Sequence, residues 1–244
     1  MKESLLALGT TLLIFTITPS SYASKTVVLT SYEDTAYTRV ITERAGKIVA
    51  TLGLPDSAAF LRVRTIVAGQ YRALNTVYTD RDDRLKQLKN QSIGTAGSPS
   101  TEGATSDKNT IDSLRKIVQQ DVDAKIAQLH TTYLAKLATE LNPQQVDKVK
   151  DGMTYSVLEV TYRGYLDELP NLNDEQKNRI LSDLTEAREH AMDAESSEKK
   201  HAWFGKYKGR INNYLSAQGI DMKKAGEEWE KRRKATQASG AGSK

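Results

Sequence analysis

The chain has 244 residues, no cysteine, and 35 Lys and Arg against 31 Asp and Glu, a net charge of +4. Without cysteine there is no disulfide, no thiolate nucleophile, no thiolate metal site and no lipid attached through a cysteine. The small positive excess is interspersed with acidic residues, which describes a solvated surface and not a nucleic-acid footprint.

In chain order, the first element reads as a secretory signal. Lys2 precedes an apolar run from Leu5 to Ile17, and Ser21-Tyr22-Ala23 places small residues where a signal peptidase reads. The run is short of the roughly 20 residues a membrane span needs. Cleavage is expected after Ala23, leaving no membrane span and a periplasmic or secreted protein. The remaining chain, about 220 residues, suffices for one sizeable core. We expect one helical domain over residues 24–235.

Val27, Val28 and Leu29 form a short apolar run that suggests an extended arm. Val40, Ile41, Ala45, Ile48, Val49 and Leu52 recur at helical spacing and predict a helix over 34–52, closed by Gly53. A second, long helix follows Pro55, over about 56–90, with Phe60, Val63, Val67, Leu74, Val77, Leu85 and Leu88 on its inner stripe. Residues 92–109 are Gly, Ser and Thr with almost nothing to bury and predict a flexible loop. The glycine spacing fits no phosphate loop, and no strand precedes it. Leu114, Val118, Val122, Ile126, Leu129, Tyr133 and Leu137 predict a third helix over about 111–140, antiparallel to the second.

Two copies of Leu-Asn-x-x-Gln follow, at 141–145 and 172–176. Each explains itself as a helix start. Asn142 and Asn173 are N-caps, and Gln145 and Gln176 stand where a side chain reaches back to the cap's own N–H. Pro143 falls at the first helical position, where its missing N–H costs nothing. The helix begun at Asn142 is expected to stop near Asp151-Gly152, with the glycine left-handed. The β-branched and aromatic run 153–160 reads as extended or irregular, followed by a short helix from Tyr162 to Leu169. Asn173 caps a helix to about Met192. Another runs from about Glu198 to Gln218, and Asp221 caps a last one through Trp229. Residues 236–244 read as a frayed tail. The fold class is therefore all-α: a multi-helix bundle with a long helical hairpin and a central, glycine-containing C-terminal helix.

The segments "LNPQQVDKVKDGMTY", "VTYRGYLDELPNLNDEQK", "AREHAMDAESSEKKHAWFGKYKGRINNYLSAQGID" and "KKAGEEWEKR" resemble the secreted bacterial family catalogued as domain of unknown function 3826. The resemblance covers most of the mature chain and is most specific from Leu141 to Arg232. It implies an exported all-helical domain and a glycan ligand. The paired Leu-x-x-x-Gln motifs also resemble the Leu-Thr-x-x-Gln motif of periplasmic helical chaperones, with Asn in place of Thr. The long Trp- and Gly-containing segment is foreign to those chaperones.

Little in the chain looks like catalytic machinery. The histidines His130, His190 and His201 show no pair at the spacing of a helical metal site, and no G-x-S-x-G occurs. Glu186, His190 and Asp193 share one helical face, which reads as an exposed ion-pair face. No metal or cofactor is expected. The richest segment is 201–219. Wound as a helix, it places Trp203, Phe204, Tyr207, Ile211, Tyr214 and Leu215 on one broad face, bordered by Arg210. These aromatics serve either as core or as a platform for sugar rings. Tyr155, Tyr162, Arg163 and Tyr165 offer a second wall. The candidate ligand wall is Tyr155, Tyr162, Arg163, Trp203, Tyr207, Arg210 and Asn213. The expected function is non-catalytic binding of a carbohydrate. The alternatives are a chaperone-like or scaffold protein binding polypeptides, and a polysaccharide hydrolase or lyase. The oligomeric state is left open. On the back of the 201–219 helix, Ala202, Gly205, Gly209 and Ser216 form a stripe of small residues flanked by Asn212 and Asn213. Interior glycines cost a helix about 1 kcal/mol each relative to alanine, so a neighbouring segment is expected to pack on Gly205 and Gly209.

Overall fold

The computed structural model describes residues 36–94 and 101–241, with side chains over 36–90 and 109–237. The signal segment and its cleavage point, the Val27–Leu29 run and residues 95–100 lie outside the described residues. Eight helices make up the described chain: α1 (Ala36–Ala50), α2 (Ser57–Gly94), α3 (Thr101–Ala138), α4 (Pro143–Met153), α5 (Val157–Glu168), α6 (Asp174–Met192), α7 (Ser197–Ala217) and α8 (Met222–Ala241). The protein is an all-α bundle, and α2 and α3 form its long hairpin.

The apolar stripes converge on two cores. Ile41, Ala45 and Val49 of α1 meet Val63, Val67 and Tyr71 of α2, Tyr133 and Leu137 of α3, and Val149 and Met153 of α4. Tyr165 and Leu169 of α5 meet Ile180, Leu184 and Ala187 of α6 and Phe204, Tyr207, Ile211 and Leu215 of α7. Each large apolar side chain so buried contributes about 1.5–3 kcal/mol. Helix α6 belongs to both cores: Ala191 faces the second, while Met192, one residue on, faces the first.

Polar side chains tie the two cores together where α6 ends. Arg188 of α6 is buried and reaches α4, donating to Asp151 at 2.8 Å and Asp147 at 2.7 Å. Lys200 of α7 is also buried, and its ammonium donates to the carbonyls of Ala191 at 3.0 Å and Met192 at 2.9 Å. Those carbonyls end α6, where that of Ala191 also accepts from Ala194 N at 3.1 Å, so a lysine there adds a donor and complements the negative helix end.

Both Leu-Asn-x-x-Gln motifs are helix starts with complete capping boxes. Asn142 accepts from Gln145 N and Asn173 from Gln176 N, each at 2.9 Å, and the glutamine side chains accept from the caps' own N–H groups. Gln145 does more: its Nε2 donates to the carbonyl of Leu52 at 3.1 Å, closing the end of α1.

Several expectations need correction. The loop expected at 92–109 is shorter, because α2 runs to Gly94 and α3 starts at Thr101. Extending an existing helix is cheap even through Ser and Thr, whose propensities fall only a few tenths of a kcal/mol below the good formers. Residues 157–160 are the first turn of α5 and not extended, and the break is confined to 154–156. Gly152 is helical, and the left-handed positions are Tyr155 (φ 58°) and Ser156 (φ 55°). Gly152 serves close approach: a Cβ there would lie 2.9 Å from Cγ1 and Cγ2 of Ile48. Helix α8 continues past Trp229 to Ala241, through part of the expected tail.

The expected cover on the α7 glycines is absent. A Cβ at Gly205 or Gly209 would meet no heavy atom within 4 Å, and both residues are exposed. The reason is where α5 touches α7. Its Tyr165 hydroxyl donates to Asn212 Oδ1 at 2.7 Å, beside the stripe and not over it. Helix α7 is buried on one side only.

Two glycine substitutions should therefore separate in sign. Gly152→Ala should destabilise on the order of 1 kcal/mol net, because overpacking against the branched Ile48 outweighs the gain in helix propensity. Gly209→Leu should fold at least as stably as the parent, by up to about 0.8 kcal/mol. Urea unfolding of the three proteins checks both. A second expectation concerns Lys200, whose pKa burial pushes down from 10.5 to about 8. The unfolded chain keeps that proton up to about 10.5, so stability rises with pH between 8 and 10.5. Buried Tyr71, Tyr165 and Tyr207 and half-buried Tyr78 are pushed up from 10.0 to about 12, so their contribution is full below 10 and is lost toward 12. The stability difference between the parent and Lys200→Met should climb over the lysine window, by on the order of 3 kcal/mol at most, and pH-resolved unfolding reads it.

Candidate functional site

Helices α2 and α3 run antiparallel, and the α6–α7 turn packs against their side. A cleft of about 710 Å³ opens at this junction, lined by Tyr78 and Arg81 of α2, the face of α3 that carries Gln119, Asp123 and His130, Glu189, His190 and Asp193 at the end of α6, and Lys199 and Trp203 of α7. Its size is that of a small-molecule site.

The floor is a buried carboxylate. Asp193 follows the last residue of α6 and is 5% exposed. It accepts from Gln70 Nε2 at 3.2 Å and faces His130 Nδ1 at 2.6 Å, while its backbone carbonyl accepts from the Tyr78 hydroxyl at 2.8 Å. Three groups from two helices thus fix one residue. The bond to Asp193 raises the pKa of His130, with the Asp193 and Glu189 charges adding to it and burial opposing it. With Nδ1 occupied, the other ring nitrogen, Nε2, stands 3.6 Å from Glu189, too far for a good hydrogen bond. Glu189 is held by Lys150 at 2.9 Å and lies 3.5 Å from Arg188. Arg81 pairs with Glu195 and Asp82 and lies over the Tyr78 ring, 4.9 Å from its centroid.

The upper wall is aromatic. Trp203 stacks on His190 with ring centroids 4.4 Å apart, and the exposed Lys206 ammonium lies 4.8 Å from the indole centroid. Tyr207, next along the same face of α7, is buried, with Arg210 5.5 Å from its ring centroid. Burial, then the Glu186 carboxylate, pushes the Tyr207 hydroxyl up to about 12. Glu186 is in turn held below the usual carboxylate range, first by Tyr207 and also by Arg210, which pairs with it at 3.0 Å.

The structure divides the expected wall. Trp203 lines the cleft, with Tyr207 and Arg210 continuing along the same helix face. Tyr155 stands apart, 45% exposed and stacked on His201 at 5.9 Å. Tyr162 packs against the second core, Arg163 pairs with Glu159 of its own helix, and Asn213 is an exposed residue of α7. The Glu186, His190 and Asp193 face is not a single ion-pair face. Glu186 turns to Arg210, His190 to Trp203, and Asp193 to His130. Sequence reasoning missed Tyr78, Asp123, His130, Glu189 and Lys199, because their companions lie on other helices; His130 and Asp193 are 63 residues apart. The one usable signal was Asp193 itself, an acid just past a helix end, where a negative charge is disfavoured unless paired. Among the described residues, no group of three or more His, Asp or Glu side chains is placed to hold a metal ion.

A family model described as "Protein of unknown function (DUF3826)" matches residues 38–235, and the chain belongs to that family. No curated protein matches the chain.

Asp193→Asn keeps the shape of the floor and removes its charge. The pKa of His130 should then fall toward the ordinary 6.5, as read by NMR titration of the imidazole. The raised value makes the parent's His130 contribution full below 6.5 and lost as pH rises through the folded pKa. The variant should lose that pH dependence of stability.

Proposed function

We propose that this member of the DUF3826 family is an exported binding protein for a carbohydrate, and that the cleft between α2, α3, α6 and α7 is its ligand site. The observation that carries the reading is the pairing, in one cleft of about 710 Å³, of the half-buried Trp203 and Tyr78 with Gln119, Asp123, Glu189 and Arg81. A pyranose ring has a face of C–H groups and a rim of hydroxyls. Aromatic rings take the face, and planar amide, carboxylate and guanidinium groups take the rim in pairs. The export half of the proposal rests on the first 23 residues, with their charged start, apolar run and small-residue exit. No helix among the described residues is long and apolar enough to cross a membrane, which accords with release after cleavage.

One observation favours a second reading, cleavage of the bound glycan. His130 is oriented by Asp193 with Nε2 beside Glu189, an arrangement suited to moving a proton. Release of product from a polysaccharide would select that reading over pure binding.

A glycan array probed with the protein from Ser24 onward should yield oligosaccharide hits that also raise its melting temperature. Trp203→Ala should weaken them by about tenfold or more, the loss of one well-packed aromatic contact. Suppressed aggregation of unrelated unfolded proteins, with no response to any glycan, would overturn the proposal in favour of a chaperone.

A further inference from the structure

The polar groups of the cleft are unequally committed. Three of its four carboxylates are neutralised by the protein: Asp193 by His130, Glu189 by Lys150 and Arg188, and Glu195 by Arg81. The fourth, Asp123, takes only the neutral amide of Gln119, at 2.8 Å. The nitrogen donors differ. Lys199 is exposed and pairs with no carboxylate within 4.0 Å among the described residues, while the His190 ring stacks on Trp203 and Tyr207 and lies near the Glu186 charge. His130 Nε2 has Glu189 at 3.6 Å and no hydrogen bond. Each of these donors lines the same cleft. A site that had to bind neutral sugars alone would gain from exposed acceptors as much as from donors. Here three of the four carboxylates are already committed to cations, while the Lys199 ammonium and His130 Nε2 are left without an acceptor.

We infer that the ligand is an acidic glycan, one whose sugar carboxylate, as in a uronate, is received by His130 Nε2 and Lys199. This rests on the carbohydrate reading of the cleft. The sugar carboxylate gives Nε2 the acceptor that Glu189, at 3.6 Å, stands too far away to be, in a charge-assisted hydrogen bond. Trp203 and His190 take the ring face beside it. Binding then requires the imidazolium form of His130. The charged and titratable groups facing that ring are Tyr78 and Arg81 from α2, Asp123 from its own helix, Lys150 from α4, Glu189, His190 and Asp193 from α6 and its end, and Glu195 and Lys199 at the start of α7. Asp193 contacts the ring directly and Glu189 is the nearest other anion, so both hold the proton in place.

The test is calorimetric titration of the protein from Ser24 onward with oligogalacturonate, oligoglucuronate and oligoguluronate. Their carboxyl-reduced neutral counterparts and a sulfated dextran serve as comparisons. We expect at least one uronate to bind at least about tenfold more tightly than its reduced form, with affinity falling as pH rises through the His130 titration. Lys199→Ala, at an exposed position that leaves the cores intact, should lose about tenfold in affinity. His130→Asn should bind weakly at all pH values, with its fold checked by thermal melting. Equal binding of acidic and reduced sugars overturns the acidic ligand and leaves the carbohydrate reading standing. So does failure of all the uronates while other glycans bind. Equal binding of the sulfated dextran, unaffected by Lys199→Ala, shows general polyanion attraction and overturns the inference. Absence of binding to any glycan overturns both readings.

Discussion

The bond between Asp193 and His130 is the constraint on which the arrangement of the molecule turns. A carboxylate at the C-terminal end of a helix faces the negative pole of that helix, and one that is 5% exposed has also lost its water. It is stable there only because a second helix supplies the imidazole and a third the amide of Gln70. Removing His130 leaves a buried charge with no cation against it, a loss of several kcal/mol, while removing Gln70 costs one hydrogen bond. The position of α6 relative to the α2–α3 hairpin is thereby fixed in register as well as in distance. Lys200 and Arg188 fasten the neighbouring turns of α6 in the same manner.

The cleft follows from that junction. Two cores that share only α6 leave a seam beside it, and a seam crossed by charged ties is not filled with apolar side chains. The seam is thus polar at its floor and, where Trp203 rises from α7, aromatic at its wall. The groups that hold the halves together and the groups that face the cleft are largely the same residues. Asp193 fixes the fold with one oxygen and poises His130 with the other.

The fold was largely legible in the sequence, and the reasons are local. Apolar spacing placed the helices, and Asn142 and Asn173 announced helix starts through side chains that bond only three residues away. What failed was whatever depended on how one helix lies against another. The glycines of α7 looked as though they required a neighbour, yet α5 passes beside them. Gly152 looked like a helix end, yet it makes room for Ile48, about a hundred residues earlier in the chain. The site was the least legible part, since four helices contribute to it and no two of its charged pairs share a motif. Only Trp203, among the residues singled out for ligand binding, lines the cleft.

The two-core plan also has a consequence for the order of folding. Helices α2 and α3 are sequence neighbours, as are α6 and α7, so each hairpin can form from nearby contacts and each core can condense early. The Asp193–His130 bond joins residues 63 positions apart and needs both halves in place. We expect it to form late, after the barrier, where a contact governs how slowly the protein comes apart and not how fast it assembles. A protein without cysteine has no disulfide to slow its own opening, and this one has set that brake in the floor of its cleft.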